Sequence, residues 1–182
     1  MPVARTTALA FCLMASVAVA QTPAPPAKPA APATPSASDN KVVTTEALHV
    51  LVLPMKGAYA QHQSAFERLG TYIAAHGVSP LGAPIGRYLS DPSVAEAELA
   101  WEVGFPVAAT VKAEAPFETK DIPGGLNAIH VHKGSYEELA TAWPAFMQWV
   151  IANGYRPVGP ATQIFQGNLG SGGVEMRIPV EK

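Results

Sequence analysis

One internal repeat constrains this chain more than any other feature. Lys56-Gly57-Ala58-Tyr59 and Lys133-Gly134-Ser135-Tyr136 lie at a fixed offset (133 − 56 = 77). Holding that offset aligns Phe66 with Trp143, Leu69 with Phe146, Tyr72 with Trp149, Gly77 with Gly154, Pro80 with Pro157 and Tyr88 with Phe165. Further on, Glu102-Val103-Gly104-Phe105-Pro106-Val107 matches Glu175-Met176-Arg177-Ile178-Pro179-Val180 at a shorter offset (175 − 102 = 73). The second copy has therefore lost four residues, placed in a hairpin loop, 91–98 in one copy and 167–172 in the other. Ser90-Asp91-Pro92 and Gly170-Ser171-Gly172-Gly173 supply the turn chemistry there. A duplicated unit decides architecture before local propensity does.

Each copy reads as β-α-β-β. The opening strands are His49 to Leu53 and Leu126 to His132. In the second helix Tyr136, Leu139, Ala140, Trp143, Phe146, Met147 and Val150 fall on one stripe at helical spacing. Ser135 and Glu138 predict a capping box, Asn153-Gly154 a left-handed stop, and Pro144 an interruption of the bond to Ala140. The first stripe is Tyr59, Phe66, Leu69 and Ile73, closed by His76-Gly77. Hairpins follow: Ile85 to Leu89 with Leu99 to Val107, and Thr162 to Gln166 with Val174 to Val180. Phe117 to Ile122, then Pro123-Gly124-Gly125, leads into the second copy. The predicted fold class is α+β: a tandem β-α-β-β repeat (about 45–107 and 117–182) with pseudo-twofold symmetry and an antiparallel sheet carrying two main helices on one face. Such packing leaves a groove between the helices over the sheet centre, a common kind of ligand site.

Upstream of this domain, placed at 43–182, the chain changes character. Arg5 precedes an apolar run, Thr7 to Ala20, that ends Ala18-Val19-Ala20. These are the parts of a secretory signal peptide, and the run falls short of the roughly 20 residues of a membrane span. Cleavage is expected after Ala20, giving a periplasmic or secreted protein with no stable membrane insertion. The sole cysteine, Cys12, lies in that segment, so the mature chain has no thiol for disulfides, thiolate metal sites or nucleophilic catalysis. Residues 21–42 are rich in proline and alanine and read as a disordered tether. The chain carries 12 basic residues, one of them Arg5, against 14 acidic ones. It shows no basic patch, helix-turn-helix pattern or zinc-finger spacing, so nucleic-acid binding is excluded.

The ordered set from Trp101-Glu102-Val103 through Ile122-Pro123-Gly124-Gly125-Leu126 to His132-Lys133-Gly134-Ser135-Tyr136, closed by Val174-Glu175-Met176-Arg177-Ile178-Pro179-Val180, resembles the GyrI-like effector-binding domain. That family includes ligand-binding halves of AraC- and MerR-type regulators and stand-alone members. The resemblance spans nearly all of 45–182. It implies the tandem fold and a central cleft for a small organic molecule, in many members cationic and aromatic, held by aromatic rings and a buried glutamate on the closing strand. Glu175 stands at the matching position. Some members hydrolyse strained cyclopropane rings, and the SOUL haem-binding fold is a distant relative. The chain departs from the family's regulators in showing no DNA-binding pattern, and from its gyrase-protecting members in its export signal.

Candidate site residues follow from the repeat. Glu102 and Glu175 are equivalent carboxylates that would attract a cation, or act as acid or base, in an apolar cleft. Strand alternation opposes this reading: if Trp101, Val103 and Phe105 face the helices, Glu102 faces the other way, as does Glu175 opposite Val174 and Met176, and Arg177 is free to pair with Glu175. Tyr59, Tyr72, Tyr136, Trp143 and Trp149 are candidates for the cleft wall or for core, with Tyr59 and Tyr136 the foremost pair. His130 and His132 have metal-ligand spacing but no third ligand nearby, and the resemblance suggests a structural hydrogen bond for His132. No metal or cofactor is expected, and no nucleophile elbow or P-loop is present. Three functions remain open: an exported binder of a small organic ligand, a hydrolase of a reactive electrophile using Glu175, and an envelope interaction protein whose cleft is filled.

Overall fold

The computed structural model describes residues 40–91, 93–167 and 173–182. The signal peptide, Cys12, most of the tether, Pro92 and the turn residues Gly170-Ser171-Gly172 lie outside the described residues. Among those described, the elements run β1 (Asn40–Thr45), β2 (Leu48–Lys56), α1 (His62–Ala75), β3 (Ile85–Tyr88), β4 (Ala100–Pro106), β5 (Glu118–Ile122), β6 (Gly125–His132), α2 (Leu139–Ala152), β7 (Arg156–Pro157), β8 (Ala161–Gln166) and β9 (Gly173–Glu181). The sheet is antiparallel with strand order β1-β6-β9-β8-β3-β4-β2-β5, and β7 pairs along β9.

The sheet order reads as a palindrome of the two copies, and the register confirms the repeat at residue level. Leu53 pairs with Val103, and their counterparts His130 and Met176 pair in the same way. The copies meet at β3 and β8, where Ile85 pairs with Ile164 and Arg87 with Thr162. Gly86 lies opposite its own counterpart, Gln163, so the pseudo-twofold axis passes between these two residues. The helix ends repeat as well. Gly77 and Gly154 take φ of +60° and +77°, which glycine adopts without a Cβ penalty. Val78 N–H then reaches Ile73 O and Tyr155 N–H reaches Val150 O, closing the last turn of each helix.

Two features differ from the sequence reading. First, each unit is headed by an additional strand, and these leaders are exchanged. β1 pairs with β6 of the second copy, and β5 pairs with β2 of the first. The register again matches: Leu48 pairs with Ile122, and the counterpart pair is Gly125 with Thr45. The first leader begins at Asn40, inside the stretch assigned to the tether. Second, α2 begins at Leu139 rather than at the predicted capping box. Ser135 N–H still donates to the Glu138 carboxylate at 3.0 Å, but Glu138 sits at the N-cap itself. Ala140 and Pro144 are both exposed, so the carbonyl freed by the proline is on the wet side of the helix.

The core divides by sheet face. Leu51, Leu53, Trp101, Val103, Met176 and Ile178 pack under the helices with Phe66, Leu69, Phe146 and Val150. A smaller cluster, Val50, Val52 and Ile85 with Leu48, Ile122 and Ile164, occupies the opposite face. Among the described residues no helix is long and apolar enough to cross a membrane.

Candidate functional site

The two helix starts converge on the pseudo-twofold axis. Tyr59 opens a short 3-10 turn that leads into α1, and Tyr136 occupies the same place before α2. Beneath them the sheet presents Tyr88 and Trp101 from the first copy, and Gln163 and Phe165 from the second. Tyr59 meets Tyr88 edge-on at 5.1 Å, while its counterpart Tyr136 lies flat against Phe165 at 5.8 Å. Tyr88 hydroxyl donates to Gln163 Oε1 at 2.7 Å, and Tyr136 hydroxyl donates to the same atom at 3.3 Å. Gln163 and Phe165 form the floor, only 4% and 2% exposed, with half-buried Tyr88 beside them, while the rim tyrosines Tyr59 and Tyr136 are half-buried above. Gly86 makes room here, because a Cβ would come within 3.4 Å of the Phe165 ring.

His62, the first residue of α1, completes the cluster. Its ring lies 4.3 Å from Trp101, and its Nδ1 donates to Tyr59 O at 2.6 Å. That bond fixes the tautomer and leaves Nε2, 3.3 Å from the Tyr88 hydroxyl, as an acceptor. Burial lowers the His62 pKa, opposed by the bond to Tyr59, so the ring stays neutral at neutral pH. Burial raises the pKa of Tyr59, of Tyr136 and most of all of Tyr88, so all three phenols remain protonated donors. The seam is thus an uncharged, aromatic site with hydroxyl, amide and imidazole groups at its centre.

A stability consequence follows from His62. Its folded pKa lies below the ordinary 6.5, so the folded protein takes up fewer protons than the unfolded chain. The neutral ring's contribution is fully present above 6.5, and it is lost as pH falls from there toward the lowered folded value. Thermal midpoints at about pH 7.5 and about pH 5.5 should therefore differ less in His62→Gln than in wild type. An equal or larger difference in the variant would contradict the assignment.

The carboxylates singled out from the sequence lie on the other face of the sheet. Trp101 and Val103 do face the helices, which sends Glu102 and Glu175 away from the seam. Glu175 accepts from Arg177 Nε at 3.0 Å. Glu102 is not solvated, as alternation alone suggested, but 1% exposed. It is held by Arg87 at 2.6 Å and by Lys120 at 2.8 Å. Two residues on from Glu102, on the same face, Gly104 admits no side chain, since a Cβ there would meet Leu51 O and Val52 Cγ1 at 2.8 Å.

Of the aromatic candidates, Tyr59 and Tyr136 come together at the seam. Tyr72 is sandwiched between His76 and Phe117, each 4.0 Å away, and its hydroxyl accepts from Glu114 N–H. Trp143 and Trp149 pack on Phe146 at 5.9 and 6.4 Å, as part of the seating of α2. His130 bonds Asn40 at 2.6 Å and His132 donates to Ser135 O at 3.1 Å. Among the described residues no cluster of three metal-ligating side chains exists. The sequence reading passed over His62, Tyr88 and Gln163 as site residues. Tyr88 carried a signal, because it aligns with Phe165; Gln163, in a strand that also holds Thr162 and Gln166, did not stand out. His62 had none.

Comparison with known proteins agrees with this architecture. Residues 39–181 match the GyrI-like small molecule binding domain, and the chain belongs to that family. No curated protein matches it. Among solved structures, the EcmrR C-terminal domain is similar at 20% identity and a TM-score of 0.69, covering 79% of this chain and 97% of that domain. In the EcmrR–DNA complex the match covers 79% of this chain at 19% identity and a TM-score of 0.69, but spans only 57% of the EcmrR chain. A hydrolase encoded by lin2189 from Listeria innocua is similar at 14% identity and a TM-score of 0.59, covering 84% of this chain and 94% of that one. SAV2435, solved bound to tetraphenylphosphonium, is similar at 9% identity and a TM-score of 0.53, covering 78% and 93%. At these identities the likeness is one of fold.

Proposed function

We propose that this protein is an exported small-molecule binder that takes a flat aromatic compound into the seam between its two repeats. The observation that carries the reading is the polar and aromatic cluster at the pseudo-twofold axis. A buried glutamine bridged by two tyrosine hydroxyls in a sheet centre costs desolvation that an apolar core would avoid. The family's small-molecule binding, and the converging helix starts of Tyr59 and Tyr136, support placing the ligand there. Entry requires the rim tyrosines to swing aside, since the floor is closed when they are down. Their faces then supply stacking, and their hydroxyls and Gln163 supply hydrogen bonds. Export rests on the signal-like sequence before Ala20.

Titration of the purified full chain with a panel of acridone dyes, followed by dye polarisation, tests this. Saturable binding is expected, weakened by about 1–2 kcal/mol in Tyr59→Ala and in Tyr136→Ala. Leu81→Ser, at an exposed residue outside the seam, should leave it unchanged. Failure of every dye to saturate would leave the seam as packed core and favour an interaction protein. A hydrolase acting through Glu175 is not proposed, because Arg177 holds that carboxylate on the opposite face of the sheet.

A further inference from the structure

We infer that the seam selects an uncharged aromatic ligand carrying a hydrogen-bond acceptor, such as a ring carbonyl, and discriminates against cations. This rests on the reading of the seam as the binding site. Its basis is where the charges are. Glu102 and Glu175 lie on the other face and are neutralised there by Arg87, Lys120 and Arg177. Of the acidic residues beside the rim, Glu137 and Glu138 are exposed, and Glu138 is engaged by Ser135. A cation, Arg68, lies on the same side: it touches Met55 Sδ at 3.7 Å, next to Trp101 across the strand pair. A cation entering this seam loses its hydration and meets no counter-charge, a penalty that ring faces offset only in part.

The hydrogen bonds define the complementary group. Tyr88 and Tyr136 both donate to one oxygen, Gln163 Oε1, and the Tyr136 contact is the longer at 3.3 Å. Both hydroxyl protons are engaged by that oxygen, and the longer, weaker Tyr136 bond is the one a ligand carbonyl would take over by sliding under Tyr136, against the flat face of Phe165. The position at the axis is decisive. Gln163 sits where a carboxylate would serve a cation best, and an amide has the same shape without the charge.

N-methylacridone and N-methylacridinium separate these terms, because they share a ring system and differ in carbonyl against charge. On the wild-type full chain, N-methylacridone is expected to bind at least about tenfold tighter than N-methylacridinium. Gln163→Glu should reverse that order by placing a carboxylate on the floor. Equal or tighter binding of N-methylacridinium by wild type would overturn this inference while leaving the seam as the site. Saturation by neither probe would remove the proposed function and the inference together. The wild-type ranking decides the matter even if the variant does not fold.

Discussion

Trp101→Ala is expected to destabilise the protein by about 3–5 kcal/mol, the range for removing a large buried aromatic side chain. Trp101 is 0% exposed and sits between the sheet and the start of α1. Its Nε1 donates to Gly57 O at 2.9 Å, pinning the turn that carries Tyr59. Its ring supports His62 at 4.3 Å and Tyr59 at 6.0 Å. Alanine would open a cavity, orphan the Gly57 carbonyl and let the first rim tyrosine drift. Trp101→Phe keeps most of the apolar contact and should cost less, about 1–2 kcal/mol. Urea midpoints of the two variants check the order. Loss of less than about 1 kcal/mol in Trp101→Ala would show that the turn and the seam are held by other contacts.

Its neighbour on the strand obeys different physics. Glu102→Ala is expected to cost about 3–5 kcal/mol, because it strands a buried guanidinium rather than because it removes a favourable pair. Arg87 is 12% exposed, its Nε already lacks a partner, and Glu102 is the carboxylate bonded to it. Lys120, one-third exposed, can return its ammonium to water. Replacing the pair together, Glu102→Leu with Arg87→Met, should recover most of the loss, since apolar residues of similar size suit a face that already buries Val50, Val52 and Ile85. A double variant as unstable as Glu102→Ala would mean that the ion pair organises the second face in a way hydrophobic packing cannot replace.

These two residues also show how far the sequence could be read. Alternation correctly separated Trp101 from Glu102, because successive side chains leave a strand in opposite directions. It could not say that the second face would be buried, since burial depends on what closes over a face and not on spacing along it. The exchanged leaders were missed for a related reason. Asn40–Thr45 and Glu118–Ile122 are short, only partly apolar strands, and nothing local in either marks the partner across the sheet. Likewise Tyr72 and Tyr136 both lie on or beside helical stripes, yet one is clamped by Phe117 and the other meets Gln163.

What the sequence determined by itself was the duplication. Two copies aligned at an offset of 77 and then 73 residues fold alike, so the two main helices, their paired glycine stops and the two hairpins were legible before any coordinates. The tertiary structure alone decided where the axis falls, that Gly86 and Gln163 meet there, and that the carboxylates turn from the seam. Those outcomes depend on how β3 and β8 align when two separate units dock, and that alignment is fixed by packing across the interface rather than by any pattern within one copy.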